Sequence, residues 1–261
     1  MPKATIGGAQ IYYEVTGKGA PLVLTLGQGS TPQARAELVD GLARNHAVLA
    51  YDQRGTGRNE PSAQAESMEE LARDIVGLMD AAGFPTAHVV GHSTGAGKAT
   101  ALAAHHPERV TRLVLGAPWT HAGPDLRVLQ AMRMAAARTL PADHYARYNA
   151  LLLYPPEYRR EHFKRFDKMA QDALASPQDP LTISARLNAI LAFDARPLYP
   201  RIRCPTLVLA ARDDLVMPLW FAQDAASAIA AARLVALDGG GHMFPETRAD
   251  EFLAEVLAFL R

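Results

Sequence analysis

The pentad Gly91-His92-Ser93-Thr94-Gly95 follows a β-branched apolar run, His88-Val89-Val90, and precedes a small-residue run: Ala96, Gly97, Ala99, Ala101, Ala103 and Ala104. This pattern predicts strand, sharp turn, helix. A serine at such a turn has its hydroxyl lifted clear of the sheet, and the flanking glycines let strand and helix approach closely. The first N–H groups of the following helix point at the same place, with the positive end of the helix dipole behind them. One turn thus offers a nucleophile and an oxyanion site. A serine hydroxyl needs a general base, and the base needs a third group to hold its tautomer. Parallel sheets bind ligands at the carboxyl ends of their strands, so both partners are expected just after strands. His242 stands there, in Gly239-Gly240-Gly241-His242 after Leu234-Val235-Ala236-Leu237. So does Asp213, in Leu209-Ala210-Ala211-Arg212-Asp213-Asp214, with Asp214 beside it as the alternative acid.

Other chemistries fit less well. Gly97-Lys98 suggests a phosphate loop, but Ala99 replaces the required hydroxyl residue and His92 the first glycine. Gly27-Gln28-Gly29 lacks the third glycine of a dinucleotide fingerprint. The remaining histidines show no zinc-ligand spacing. Neither a cofactor nor a metal is expected.

The surrounding elements alternate in type. Residues 3–15 read as a β-hairpin around Gly7-Gly8, and Pro21 to Leu26 as a buried strand. A helix is expected at about 32–44, then a strand at 47–51 closed by Asp52-Gln53-Arg54-Gly55-Thr56-Gly57. Met68, Leu71, Ile75, Leu78 and Met79 form a helical stripe, with Ser67 and Glu70 as a capping box. The elbow follows, then a strand at 112–115. The rhythm stops at Ala117-Pro118 and resumes at Thr206-Leu207-Val208-Leu209-Ala210 with a strand, a helix at 219–231, a strand and a last helix at about 247–260. The prediction is an α/β fold with a mostly parallel eight-stranded sheet and a helical cap inserted after the sixth strand. The core takes residues 1–118 and 201–261, and the cap residues 119–200. Residues 59–66 are polar and turn-rich and read as a mobile loop.

Composition narrows the function classes. The 261 residues carry 27 Lys+Arg and 27 Asp+Glu, a formal charge of zero that favours neither nucleic acid nor an anionic membrane. No apolar run approaches the ~20 residues that span a bilayer, and the N-terminus shows no secretory h-region. The single cysteine, Cys204, suits a reducing compartment. A cytoplasmic monomer or homodimer acting on a small molecule is expected.

The order Ser93…Asp213…His242 is that of the nucleophile-elbow hydrolases. With Leu26-Gly27-Gln28-Gly29, the loop at 52–57, the pentad, Ala210-Ala211-Arg212-Asp213 and Gly241-His242, the chain resembles the α/β-hydrolase fold superfamily over essentially its whole length. The resemblance implies Ser93 as nucleophile, His242 as base, Asp213 as orienting acid and an oxyanion hole from the N–H groups of Thr94 and Gln28. It prefers Asp213 to Asp214 because the acid stands third after the Ala210 position. Leu26 replaces the usual histidine of the oxyanion loop. The Thr94 hydroxyl is expected to cap the helix rather than touch substrate. Tyr51-Asp52-Gln53-Arg54-Gly55-Thr56-Gly57-Arg58-Asn59, Leu153-Tyr154-Pro155, Arg186-Leu187-Asn188-Ala189 and Arg201-Ile202-Arg203-Cys204-Pro205 look like the aminoacrylate hydrolases of pyrimidine degradation. The overall pattern is also similar to the enol-lactone hydrolases.

These resemblances imply a serine hydrolase of a small carbonyl compound (ester, lactone or amide-like), with aminoacrylate or carbamate hydrolysis, C–C bond hydrolysis, or ligand reception on a hydrolase scaffold as alternatives. Pocket candidates are Trp119, Tyr145, Tyr148, Phe166, Phe193 and Trp220. Arg127, Arg133, Arg138 and Arg186 are candidates for an anionic substrate, against the alternative of solvated faces. Asp52 and Arg54 are expected to brace the sheet edge by ion pairing, and His92 to be structural or at the pocket rim.

Overall fold

The structure is a computed structural model that describes residues 3–60 and 66–261. Of the polar stretch at 59–66, residues 61–65 lie outside the described residues. The chain opens with β1 (Lys3–Ile6) and β2 (Ala9–Thr16), an antiparallel hairpin turned by Gly7 and Gly8, both at positive φ. β3 (Ala20–Thr25) leads through a single 3-10 turn at Gln33–Arg35 into α1 (Ala36–Ala43), so the helix expected at 32–44 begins as a tighter turn. β4 (His46–Tyr51) follows, then α2 (Met68–Ala81). α2 starts with the expected capping box: Glu70 N–H donates to Ser67 Oγ at 3.1 Å, and Ser67 N–H donates to Glu70 Oε2 at 2.7 Å. Its stripe of Met68, Leu71, Ile75, Leu78 and Met79 is buried.

β5 (Ala87–His92), α3 (Thr94–His105) and β6 (Val110–Gly116) form the centre of the molecule. Among the described residues, five helices separate β6 from the next strand: α4 (Pro124–Thr139), α5 (Ala142–Leu153), α6 (Pro156–Glu161), α7 (Phe163–Ala175) and α8 (Pro180–Ala192). The prolines of this segment start helices rather than break them. Pro124, Pro156 and Pro180 open α4, α6 and α8, where a missing N–H costs no intrahelical bond. The Asp179 carboxylate caps α8, accepting from the N–H groups of Leu181 and Thr182. α4 packs on α8 and α5 on α7.

β7 (Thr206–Ala211), α9 (Leu219–Ala228) and β8 (Ala232–Leu237) resume the alternation. The last helical stretch divides into α10 (Phe244–Thr247) and α11 (Ala249–Leu260). The eight strands lie in the order β1-β2-β4-β3-β5-β6-β7-β8; the first two pairings are antiparallel and the rest parallel. Helices on both faces bury the central strands, which is why β3, β5, β6 and β7 read as apolar runs rather than alternating ones. The carboxyl ends of β3, β5 and β7 lie side by side or one strand apart, so the loops after them converge.

The loop after β4 uses two ion pairs. Arg54 grips Asp74 of α2 through Nε and Nη2, at 2.6 and 2.7 Å, while Asp52 accepts from Arg58 Nε at 2.7 Å. Asp52 and Arg54 therefore brace the sheet edge, each with its own partner.

Candidate active site

Ser93 occupies the turn between β5 and α3 at φ 56 and ψ −124, a conformation that non-glycine residues rarely adopt. Its N–H donates to Gly116 O at 2.8 Å and its carbonyl accepts from Ala96 N–H at 2.7 Å, which holds the strain in place. The pentad glycines are a packing requirement. A Cβ on Gly91 would lie 2.4 Å from Gly95 O, and one on Gly95 only 2.0 Å from Thr25 O. Backbone cannot yield as a side chain can. Gly95→Ala is expected to destabilise the fold by about 3 kcal/mol or more, read by urea denaturation. A wild-type midpoint would show that the elbow accepts a methyl group.

His242 follows the glycine loop after β8 and is buried. Its Nε2 lies 2.9 Å from Ser93 Oγ, and its Nδ1 lies 2.8 Å from Asp214 Oδ2. A carboxylate only accepts, so Nδ1–H donates to Asp214 and Nε2 is left to accept from the serine hydroxyl. The acid beside His242 is thus Asp214, and the expectation of Asp213 is corrected. Both aspartates reach the glycine–histidine loop from the turn after β7, at different points. Asp213 is exposed and accepts from Gly241 N–H at 2.9 Å and Gly240 N–H at 3.3 Å, shaping the loop that carries His242. Asp214 is buried, and its Oδ1 accepts from the N–H groups of Val216 and Met217 at 2.8 and 2.9 Å. This Asx-type turn fixes the carboxylate with its second oxygen toward the imidazole.

His92 holds the same loop from the sheet side. Its Nε2–H donates to His242 O at 2.9 Å, and its ring meets the edge of Phe244 at 5.4 Å. Burial, reinforced by His242, pushes His92 well below the usual imidazole range, so the ring is a neutral donor.

Thr94 is the first residue of α3, and Gln28 lies in the loop after β3. A Cβ on Gly27 would stand 3.3 Å from Ser93 Cβ, so that loop runs directly past the serine. The expected Thr94 cap does not form: Ser93 takes the N-cap position, and Thr94 Oγ1 is buried without a partner.

Beneath this loop lies Lys98, which the sequence presents only as the lysine of a failed phosphate loop. It is fully buried in α3. Its Nζ donates to Leu26 O at 3.0 Å and to Gln53 Oε1 at 2.9 Å, and stands 5.6 Å from the centre of the Tyr51 ring. Lys98 thus ties the loop after β3 to the loop after β4. Burial, with the nearby Arg186 charge, brings its ammonium down to about 7.

Ser93 and His242 open onto a cavity of about 680 Å³ walled by Gly27, Gln28 and Gly29, by α4, α5 and α8, and by Val216, Met217 and Met243. Of the expected aromatic residues Tyr145 lines it, and five do not. Trp119 lies under α3, where Gly97 leaves room for its ring, and its Nε1–H donates to Ile190 O at 3.2 Å. Phe193 packs edge-on against Trp119. Phe166 packs on Tyr154, Tyr148 stacks on the outside of Tyr145, and Trp220 is half exposed beside Phe221. Burial in the apolar core outcompeted the pocket for Trp119, Phe166 and Phe193. Tyr154, Met217 and Met243 line the cavity although none of them was expected there from the sequence.

The helices between β6 and β7 are fastened to the His242 loop. Met243 N–H donates to Leu153 O at 3.1 Å. Glu246 of α10 pairs with both Arg35 and Arg165 and accepts from Tyr154 and Tyr158 hydroxyls. Burial would raise its carboxyl, but the arginines, chiefly Arg165, outweigh that and hold it below the usual range.

Among the described residues no group of three or more His, Cys, Asp or Glu side chains is placed to hold a metal ion, and no helix is long and apolar enough to cross a membrane. Comparison with known proteins places these features in a wider group. A family model for the alpha/beta hydrolase fold matches residues 22–249. A protein of Azorhizobium caulinodans, provisionally named carbamate hydrolase RutD, is 34% identical over 259 residues, covering 99% of this chain and 98% of that protein. One of the same name from Variovorax paradoxus is 33% identical, with 96% of each chain covered. The crystal structure of the enol-lactonase from Burkholderia xenovorans LB400 superposes with a TM-score of 0.87 at 30% identity, covering 99% of both chains. By sequence and by fold, this chain belongs to the α/β-hydrolase fold family.

Proposed function

We propose that the protein is a serine hydrolase of small-molecule esters or lactones, with Ser93 as nucleophile, His242 as general base and Asp214 as the acid that orients it. The observation that carries this reading is the unbroken chain of contacts from Asp214 through His242 to Ser93 Oγ at the wall of a cavity. Ser93 Oγ attacks the substrate carbonyl while His242 Nε2 takes its proton. Asp214 stabilises the resulting imidazolium. The N–H groups of Thr94 and Gln28 receive the negative charge on the carbonyl oxygen; removing one such donor costs on the order of 10²–10³ in turnover. His242 returns its proton to the leaving oxygen and then activates water to free the acyl group from Ser93. In this reading residues 119–200 act as a cap whose inner wall selects the substrate.

Hydrolysis of a carbamate is the second reading, favoured by the relatives that carry that name across nearly the whole chain. There water attacks without a stable acyl-enzyme. A fluorophosphonate probe tests the first reading: wild type is expected to label at Ser93 and Ser93→Ala not at all. Active-site labelling of the variant would remove Ser93 as nucleophile. Mass spectrometry during turnover separates the readings, since only the first accumulates an acyl group on Ser93. A receptor would show a single slow round in place of multiple turnovers.

A further inference from the structure

Arg133 of α4 lines the cavity that holds Ser93 and His242, yet it is 8% exposed and, among the described residues, has no carboxylate partner. Its Nη1 donates to Gln130 Oε1 at 3.2 Å and its Nη2 to Asn149 Oδ1 at 3.3 Å, both long bonds to neutral groups. Its Nε is buried without a partner, as is Nε2 of the fully buried Gln130. Donors are therefore in excess. Burial works against the guanidinium charge, and the phenols of Tyr145 and Tyr148 nearby offset it only once they ionise, well above neutral pH. Arginine nonetheless stays protonated in proteins. A buried cation without a counter-ion is costly, and persists where something supplies the anion.

The other ionised groups of the cavity wall do not supply it. Arg35 is paired with Glu246, and Asp172 at the rim is paired with Lys168 at 2.9 Å. Arg138, exposed at the rim, adds a second positive charge without an ion pair among the described residues. The cavity thus presents an unopposed guanidinium, with Asn149 and Tyr145 beside it in the wall.

We propose that Arg133 binds a carboxylate of the substrate, so that the site takes an anionic carbonyl compound such as the half-ester of a short dicarboxylic acid. A carboxylate fits better than a phosphate: a single guanidinium with neutral neighbours matches one charge on two coplanar oxygens. The catalytic part of this proposal rests on the reading of Ser93 as nucleophile; the binding part does not.

The test separates the two. Ser93→Ala, which holds substrate without turnover, is titrated calorimetrically with the monomethyl esters of succinate through suberate and with methyl esters of the matching neutral acids. The charged ester is expected to bind about tenfold or more tightly at one chain length, and Arg133→Gln in the same background to abolish that preference, with Arg133→Lys restoring part of it. Equal binding of charged and neutral esters at every length, or a preference that survives Arg133→Gln, overturns the proposal. Inorganic phosphate competing better than glutarate overturns the carboxylate assignment. In the otherwise wild-type enzyme, Arg133→Gln is expected to raise KM for mono-4-nitrophenyl glutarate and leave that for 4-nitrophenyl pentanoate unchanged, while fluorophosphonate labelling of Ser93 confirms a folded site. If Arg133-dependent binding is found but neither ester is cleaved and Ser93 does not label, the hydrolase reading fails and the anion site stands.

Discussion

Asp214→Asn is expected to lower kcat by about 10⁴, whereas Asp213→Asn leaves it within about tenfold of wild type. An asparagine at 214 keeps one oxygen to accept from Val216 and Met217 N–H, so the turn after β7 retains its shape. Its amide, however, then points N–H groups at His242 Nδ1. The imidazole must carry its proton on Nε2 to accept that bond, and Nε2 can no longer receive the serine proton. Asp213 acts one step away, through the N–H groups of Gly240 and Gly241, and an asparagine oxygen still accepts one of them. The measurement is steady-state hydrolysis of 4-nitrophenyl acetate by both variants, with melting temperatures to confirm folding. The opposite ranking would move the acid to Asp213.

Stability should rise with pH above neutrality because of Lys98, and the rise should vanish in Lys98→Met. In the unfolded chain this lysine titrates at its ordinary 10.5, and in the folded chain at about 7. Between those values the unfolded chain binds the extra proton, so raising the pH favours folding. Below pH 7 both states are charged and the full cost of burying the ammonium is present; across the window that cost is relieved, by an amount on the order of 4 kcal/mol. Urea denaturation of wild type and Lys98→Met from pH 6.5 to 9.5 reads the difference between the two slopes. Parallel curves would show that Lys98 keeps its charge in the folded state.

The elements that carry Ser93 and His242 were legible because two signals coincide there. An apolar β-branched run, a glycine-flanked serine and a small-residue helix specify β5, the turn and α3 together, and the same logic sets His242 after β8. The alternation of apolar runs with helical stripes predicted the parallel sheet. The choice between Asp213 and Asp214 was not legible from residue type, since adjacent side chains in a turn diverge and the turn decides which faces inward. Val216 and Met217 as N–H donors to Asp214 were the available local signal. Arg133 was named among the cap arginines but could not be told apart from its exposed neighbours Arg127 and Arg138, for a different reason. The buried face of α4 runs through Leu126, Gln130, Arg133 and Ala137, a helical stripe in which two members of four are polar. A search for apolar periodicity passes over it. Trp119 misled in the opposite direction: its place was set by the missing side chain of Gly97, a neighbour distant in sequence.

The bond from Met243 N–H to Leu153 O and the grip of Glu246 on Arg35 and Arg165 constrain how substrate enters. They rivet the loop that carries His242 to the end of α5 and to α7. A hinged swing of all five helices would pull on His242, whereas another part of the rim carries none of these ties. There Leu140, at the end of α4, and Ser176, Pro177 and Gln178, ahead of α8, are exposed at the cavity wall. Substitutions there would change the mouth of the cavity and leave the ties on the His242 loop intact. Admission and alignment are then separate degrees of freedom: rim variation can retune which molecules pass, and how fast products leave, without disturbing the chemistry.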